Sequence, residues 1–288
     1  HVGWTINGTT YFFSGATGRT VDPDQGGSYT GWSAHTPNVS LKADKSSMVV
    51  KNNTFTITDK AGSARAGVLV DASDIIMTDN NFTINGTGNV GVVVTANGKD
   101  LTINRATAGR NTFNVNGTSG NTGILNSGKI KELSNATFSI TATDSNGIRN
   151  NGSGEVTVSD SKFTVSGTKS NAINNQSGTK SKTESTQFDI NVTQSNGITN
   201  AGDVKSKLDT FNLNAVDTNG IVMTNNSAAV LAEASTFNIK KNKSNGINGQ
   251  AGATITVNNN GDTNRADRFI LDTGVSESNG IYTKKAVL

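Results

Sequence analysis

The sequence predicts an all-β fold, a single-stranded parallel β-helix with an N-terminal cap, and three recurring features carry this prediction. A phenylalanine recurs at intervals of 23 to 32 residues, and an aliphatic residue follows two positions later. A small residue with a β-branched neighbour comes nine to twelve positions after the phenylalanine. A repeat of about 25 residues with so few apolar positions cannot bury a core alone, so consecutive repeats must stack. We predict about nine such coils.

The phenylalanine lies in the first predicted strand of each coil. Its aliphatic partner is present in all nine repeats, and the flanking positions are mostly Thr, Asn, Ser, Lys or Asp. This alternation is typical of a strand with one buried face. Like side chains should therefore stack from coil to coil. The nine phenylalanines are Phe55, Phe82, Phe113, Phe138, Phe163, Phe188, Phe211, Phe237 and Phe269.

The second element contains a phrase such as "TQSNGITN" at 193–200, which recurs with small changes. Asn and Gly tolerate left-handed backbone angles, so we interpret "SNG" as a turn and place the start of a second strand at the following β-branched residue. Stacked side-chain amides can hydrogen-bond along a column. An asparagine ladder is predicted through Asn146, Asn171, Asn196, Asn219, Asn245 and Asn279.

A third, looser apolar group completes each coil, which then has three short strands. One coil, "SGTKSKTEST" at 177–186, has no aliphatic residue in this group. Neighbouring coils should lie ~4.8 Å apart, as neighbouring strands do in a sheet.

The two ends of the chain differ from the repeats. Residues 1–45 hold six of the sixteen aromatic residues and both prolines, and we predict that they form a cap over the first coil. Residues 46–288 form the repeats. The last repeat stops midway, at "SNGIYTKKAVL". We expect that the natural chain continues beyond Leu288 or that this end docks onto something.

Composition narrows the function. The chain has no cysteine, two histidines and a net charge of +3. We therefore predict no cofactor, no metal site, no Ser-His-Asp arrangement and no nucleic-acid partner. Asp189 and Asp209 are interpreted as isolated surface carboxylates on outward strand positions. No catalytic residue is predicted.

Two sets of basic residues are candidates for partner binding. Insertions precede the strands of Phe113 and Phe269, and both contain Asn-Arg-Ala followed by a second arginine. Insertions in solenoids usually emerge as loops on one face, often the binding face. The four arginines are Arg105, Arg110, Arg265 and Arg268. Three Lys-x-Lys pairs are candidates to align as a basic edge for acidic glycans; they are Lys129 with Lys131, Lys180 with Lys182, and Lys205 with Lys207.

The cysteine-free richness in Asn, Gly, Thr and Ser, the irregular coils such as "NNGSGEVTVSDSKFTVSG", and the aromatic N-terminal segment resemble the passenger domains of Gram-negative autotransporters. The resemblance covers about residues 46–288. Together with the usual strand twist, it implies a right-handed solenoid.

The resemblance further implies a non-enzymatic adhesin or stalk segment on the outer surface of a bacterium. Its partner would be a host, bacterial or matrix protein or glycan, and self-association is compatible with it. Membrane attachment would occur only through a C-terminal β-barrel outside this sequence.

Two other functions stay open at this stage. A carbohydrate-active enzyme of the tailspike or polysaccharide-lyase type would need two or more carboxylates close together in a surface groove. A subunit of an extracellular filament would dock its unfinished end on the next copy.

Overall fold

The structure is a computed structural model and every element it describes is a β-strand. The strands form a right-handed parallel β-solenoid of about eight turns of about 25 residues, which confirms the predicted fold class. The nine predicted coils correspond to nine stacked levels, which the eight turns connect. The described residues are 2–6, 9–13, 27–29, 39–58, 65–250, 252–258 and 266–284.

Three sheets run along the solenoid, one strand from each per coil. The Phe sheet holds β3 (Gly27–Tyr29), β6 (Asn53–Ile57), β9 (Asn81–Ile84), β12 (Thr112–Val115), β15 (Thr137–Ile140), β18 (Lys162–Val165), β21 (Gln187–Ile190), β24 (Thr210–Leu213), β27 (Thr236–Ile239) and β30 (Arg268–Leu271).

The Asn sheet follows the Phe sheet along the chain. It holds β1 (Val2–Ile6), β2 (Thr9–Phe13), β4 (Val39–Ala43), β7 (Ala66–Val70), β10 (Val90–Val94), β13 (Thr122–Asn126), β16 (Asn146–Asn150), β19 (Asn171–Asn175), β22 (Asn196–Asn200), β25 (Asn219–Met223), β28 (Asn245–Gln250) and β31 (Asn279–Lys284).

The lysine sheet closes each coil. It holds β5 (Val49–Lys51), β8 (Ile76–Thr78), β11 (Leu101–Asn104), β14 (Lys129–Ser134), β17 (Glu155–Ser159), β20 (Lys180–Glu184), β23 (Asp203–Lys207), β26 (Ala229–Glu233) and β29 (Thr254–Asn258).

The nine phenylalanines form one continuous stack inside the solenoid. Successive ring centroids are 4.4–5.2 Å apart and the ring planes differ by 3–11°. From Phe55 to Phe237 the residues are at most 1% exposed. The large ring recurs because each coil offers the same inward position, and parallel pairing keeps that position in register from β6 to β30.

The predicted turn at "SNG" is wrong. Asn146 and Gly147 already belong to strand β16. The left-handed residue instead precedes the serine or threonine of the phrase, with φ between 49° and 57°. These residues are Asp144, Lys169, Gln194, Asp217, Lys243 and Glu277.

The glycine of the phrase is required by close packing. A Cβ on Gly147 would lie 2.6 Å from the Ala172 carbonyl oxygen and 3.1 Å from the Phe163 ring. Ala172 occupies the equivalent position one coil later. The rings of Phe163 and Phe188 are also the most widely spaced pair of the stack, at 5.2 Å. The methyl group of Ala172 is therefore accommodated by a slightly larger spacing between these two rings.

The serine of the phrase joins neighbouring coils. The Ser170 hydroxyl accepts a hydrogen bond from the backbone N–H of Ser145 at 3.0 Å, and the Ser195 hydroxyl accepts one from Ser170 at 3.2 Å. These hydroxyls accept hydrogen bonds from backbone N–H groups at a buried corner of the coil that lies outside the strand pairing.

The predicted asparagine ladder is confirmed. Each side-chain amide donates to the amide oxygen of the preceding coil at 2.9–3.1 Å, from Asn279 down to Asn146. A second ladder lies inside the solenoid and was not predicted. It consists of Asn126, Asn150, Asn175 and Asn200, whose amides are linked at 2.8–3.3 Å.

The N-terminal strands pair differently from the coils. β1 and β2 form an antiparallel pair, and β2 meets β4 antiparallel at Phe13 and Leu41. β4 then pairs with β7 in parallel, as in every later coil. The division into a cap at 1–45 and repeats at 46–288 stays a prediction.

Candidate partner-binding face

The outer face of the lysine sheet carries all six predicted lysines, but their pairs do not align as expected. In the strand register Lys180 lies opposite Asp203, Lys182 opposite Lys205, and Glu184 opposite Lys207. The pairs at 180 and 205 are therefore offset by two residues. The expected alignment of the three pairs is wrong, and the outward side chains form three columns instead.

The two outer columns alternate in charge. In the first, Lys180 lies 3.7 Å from Glu155, and Lys129 lies 4.0 Å from Asp100. In the third, Glu184 and Lys207 are 2.7 Å apart. Such exposed pairs contribute little to stability because both charges stay hydrated.

The central column is basic. Lys182 and Lys205 are direct neighbours in it. Lys131 precedes them in a bulged segment of β14 that faces Thr157, the residue opposite Lys182. Within the described part of the chain Lys131 and Lys182 make no ion pair, whereas Lys205 lies 3.0 Å from Glu233. Glu132 shares that bulge, so the charged residues of this column are lysines alone only from β17 onward.

A groove of about 240 Å³ runs between the central and third columns. Its walls carry three lysine ammonium groups and one carboxylate, and hydroxyl groups lie between them. The lining residues are Thr157, Val158, Ser159, Lys182, Thr183, Glu184, Lys205 and Lys207. Three of the six predicted lysines thus meet at one concave site.

Asp209 lies inside the solenoid behind this face and is not the surface carboxylate that was predicted. It is 1% exposed. Its carboxylate accepts hydrogen bonds from the Thr183 hydroxyl at 2.5 Å, the Ser206 hydroxyl at 2.6 Å and the Thr186 N–H at 2.9 Å. Burial disfavours the charged form and raises the pKa of Asp209 to about 6, although these donors oppose the shift.

Asp189 does lie on the outer face of the Phe sheet. Its carboxylate is 3.1 Å from the Lys162 ammonium and accepts a hydrogen bond from the Asn212 amide at 2.7 Å. Burial acts to raise the pKa of Asp189, but hydrogen bonds from Asn212, Gln187 and Lys162 outweigh it and hold the pKa below its ordinary value. The arrangement is a local surface network rather than a site.

The first insertion is fastened to the solenoid by one of its arginines. The Arg110 guanidinium donates to the backbone oxygens of Asp79 at 3.0 Å and Asn53 at 3.1 Å. The Asp79 carboxylate in turn accepts from the N–H groups of Ala106 and Thr107. Arg110 therefore has a structural role, whether or not it also contacts a partner.

The structure does not bring the predicted arginines together. Arg105 is exposed in the first insertion and Arg268 is exposed in β30. The two residues are separated along the axis by six coil steps, each of 4.4–5.2 Å. Arg265 lies outside the described residues. Partner binding by the arginines and lysines stays a prediction.

Groups that could support chemistry are sparse on this face. Glu184 and Glu233 flank Lys207 in the third column, two strand spacings apart, or ~9.6 Å between backbones. Each carboxylate is engaged by a lysine. No cluster of potential metal ligands occurs among the residues that the structure describes.

No protein-family model, curated protein sequence or solved structure matches the chain. Across the described ranges, no helix has the length and apolar character that a membrane crossing requires.

Proposed function

We propose that the protein is a rod-shaped, non-enzymatic segment of a bacterial cell-surface adhesin or stalk that contacts its partner through the lysine sheet. One observation carries the proposal: the groove lined by Lys182, Lys205 and Lys207 is set on an uninterrupted stack of coils. A stack whose like side chains interlock at every level resists bending, and its outer strands can hold a binding surface in fixed geometry.

The partner in this proposal is a host, bacterial or matrix protein or glycan, and the location is extracellular. The support is physical. Three cations within one groove attract acidic groups and raise their local concentration. The resemblance to autotransporter passengers points the same way.

Adhesion of cells to beads coated with the purified protein tests the proposal. We expect the triple variant K182A/K205A/K207A to capture several-fold fewer cells because the groove loses its positive charge. The matched control is K240A/K241A/K243A, which removes three exposed lysines elsewhere. Equal loss in both variants, or no capture by the unmodified protein above uncoated beads, would refute the proposal.

A carbohydrate-active enzyme is the second candidate, with Glu184 and Glu233 of the third column as its carboxylates. In inverting glycosidases the two carboxyl groups are about 6.5–9.5 Å apart, and the backbones that carry these two are ~9.6 Å apart. Incubation with acidic polysaccharides and measurement of chain length separates the two functions. Shortening of the chains that is lost in E184Q and E233Q would establish the enzyme.

A filament subunit is the third candidate. Val257 and Leu271 continue the inward columns of Ala232 and Ile239 in the last coil, and each is 43% exposed. Electron microscopy of the purified protein would show rods of one length or growing fibres.

A further inference from the structure

We propose that the groove of the lysine sheet binds a linear acidic polysaccharide lengthwise, parallel to the solenoid axis. This inference deepens the proposed function and rests on it, since it names the class of partner and its orientation.

The charge pattern determines the orientation. Between Thr157 and Leu231 the central column holds two lysines and no carboxylate, whereas the strands β17, β20, β23 and β26 each place one carboxylate in an outer column. A ligand with regularly spaced negative charges therefore meets lysines without passing a carboxylate only if it runs along the column. The column ends where Leu231 lies opposite Lys205.

One ion pair at the groove is exchangeable. The side chains of Lys207 and its partner Glu184 are 43% and 48% exposed, whereas Glu233, the partner of Lys205, is only 14% exposed. Exposed pairs of this kind are weak, so a carboxylate or sulfate of a ligand can take the place of Glu184 at Lys207. Lys182 needs no such exchange, because it has no ion-pair partner among the described residues.

The lining favours a glycan over a nucleic acid. Thr157 and Ser159 offer hydroxyl groups that can exchange hydrogen bonds with sugar hydroxyls. The groove contains no aromatic residue on which unpaired bases could stack, and such stacking is a principal contribution to binding of single strands.

Binding of a linear polyuronate fragment, measured by calorimetry at several salt concentrations, tests the inference. We expect Lys182→Glu to weaken binding roughly tenfold, because it places a negative charge in the column. We expect Glu184→Gln to tighten binding roughly two- to fivefold, because it frees Lys207. Both changes are at exposed positions, and unfolding curves would verify that the fold is retained.

Ligand length tests the orientation. Affinity should rise with polyuronate length until the fragment spans Lys131 to Lys205, three coil steps, and then level off. Lys240→Glu, an exposed lysine after β27, is the matched control and should leave binding unchanged. Equal weakening by Lys240→Glu, or no tightening by Glu184→Gln, would overturn the inference.

The remaining outcomes separate this inference from the proposed function. Tighter binding of single-stranded DNA than of polyuronate would refute the assignment of a glycan as the ligand. Capture of cells without polyuronate binding would refute the inference and leave the adhesin standing. Polyuronate binding without any cell capture would support the groove assignment and refute the adhesin.

Discussion

The early and middle coils have the same backbone arrangement, but the side chains that fill one interior column are apolar in the early coils and polar in the middle coils. In the early coils the column is Ala43, Val70 and Val94. From the next coil it continues, in register, as Asn126, Asn150, Asn175 and Asn200. The early coils are held together here by apolar burial, and the middle coils by a chain of amide hydrogen bonds.

The polar interior extends to the neighbouring column. In β20, the strand without aliphatic residues, Ser181 donates to the Asn175 amide oxygen at 2.6 Å and Thr183 donates to Asp209. Each of these buried groups has a partner, as burial of polar atoms requires. A solenoid coil can thus replace apolar side chains with polar ones, provided that the next coil supplies complementary groups at the same positions.

The largest expected effect concerns the phenylalanine stack, which both regions share. Phe82→Ala in the early coils and Phe163→Ala in the middle coils should each lower the free energy of unfolding by about 3–5 kcal/mol, because each leaves a cavity in a dry stack. Denaturant unfolding measures both. A near-neutral Phe163→Ala would show that polar columns dominate the middle coils, and Phe163→Leu is the smaller-change control.

The second effect is a loss of stability with rising pH that arises in the middle coils. The pKa of Asp209 is raised from 3.8 to about 6, so the folded protein holds this proton after the unfolded chain has lost it. Stability from this group is therefore full below pH 3.8 and is lost as the pH rises through about 6, by about 3 kcal/mol.

Unfolding curves of the wild type and Asp209→Asn, recorded across this pH range, measure the effect. The difference between them should change by about 3 kcal/mol because the variant has no proton to hold. Asp203→Asn, at an exposed position, is the control for the loss of a carboxylate as such. If the stability difference between the wild type and Asp209→Asn were the same at every pH, the raised pKa of Asp209 would be contradicted.

The smallest effect lies at the boundary between the two regions. An asparagine at Val94 would lie next to Asn126 and could extend the inner ladder, whereas one at Val70 would lie between apolar neighbours. Val94→Asn should therefore destabilise the protein by about 1 kcal/mol less than Val70→Asn, one hydrogen bond being the difference. Equal losses in thermal or denaturant unfolding would mean that the ladder cannot be lengthened.

Residues that repeat with one chemistry were sufficient to predict the fold. The phenylalanine at each level must fill the same interior position, so its spacing in the sequence marks the coil. The outer asparagines, such as Asn171 and Asn196, recur because each needs an amide above and below it. The turn was misplaced because its left-handed residue varies in type, as Asp144, Lys169 and Gln194 do.

The lysine register was missed, although the sequence contains the signal. Lys180 and Asp203 each precede the next phenylalanine by eight residues, and Glu184 and Lys207 each precede it by four. Counting back from the phenylalanine would have aligned these columns. It would also have placed Asp209 at the corner position of Thr186 and Ser235, where small polar residues face inward.

The two asparagine ladders have a direction. Along the outer one every amide N–H points toward the earlier coil, and along the inner one every amide N–H points toward the later coil. Aligned amides in one ladder add their dipoles and polarise one another. Because the two sets run in opposite senses on either side of the same sheet, their dipoles oppose each other over the coils they share, and only the outer ladder continues beyond Asn200.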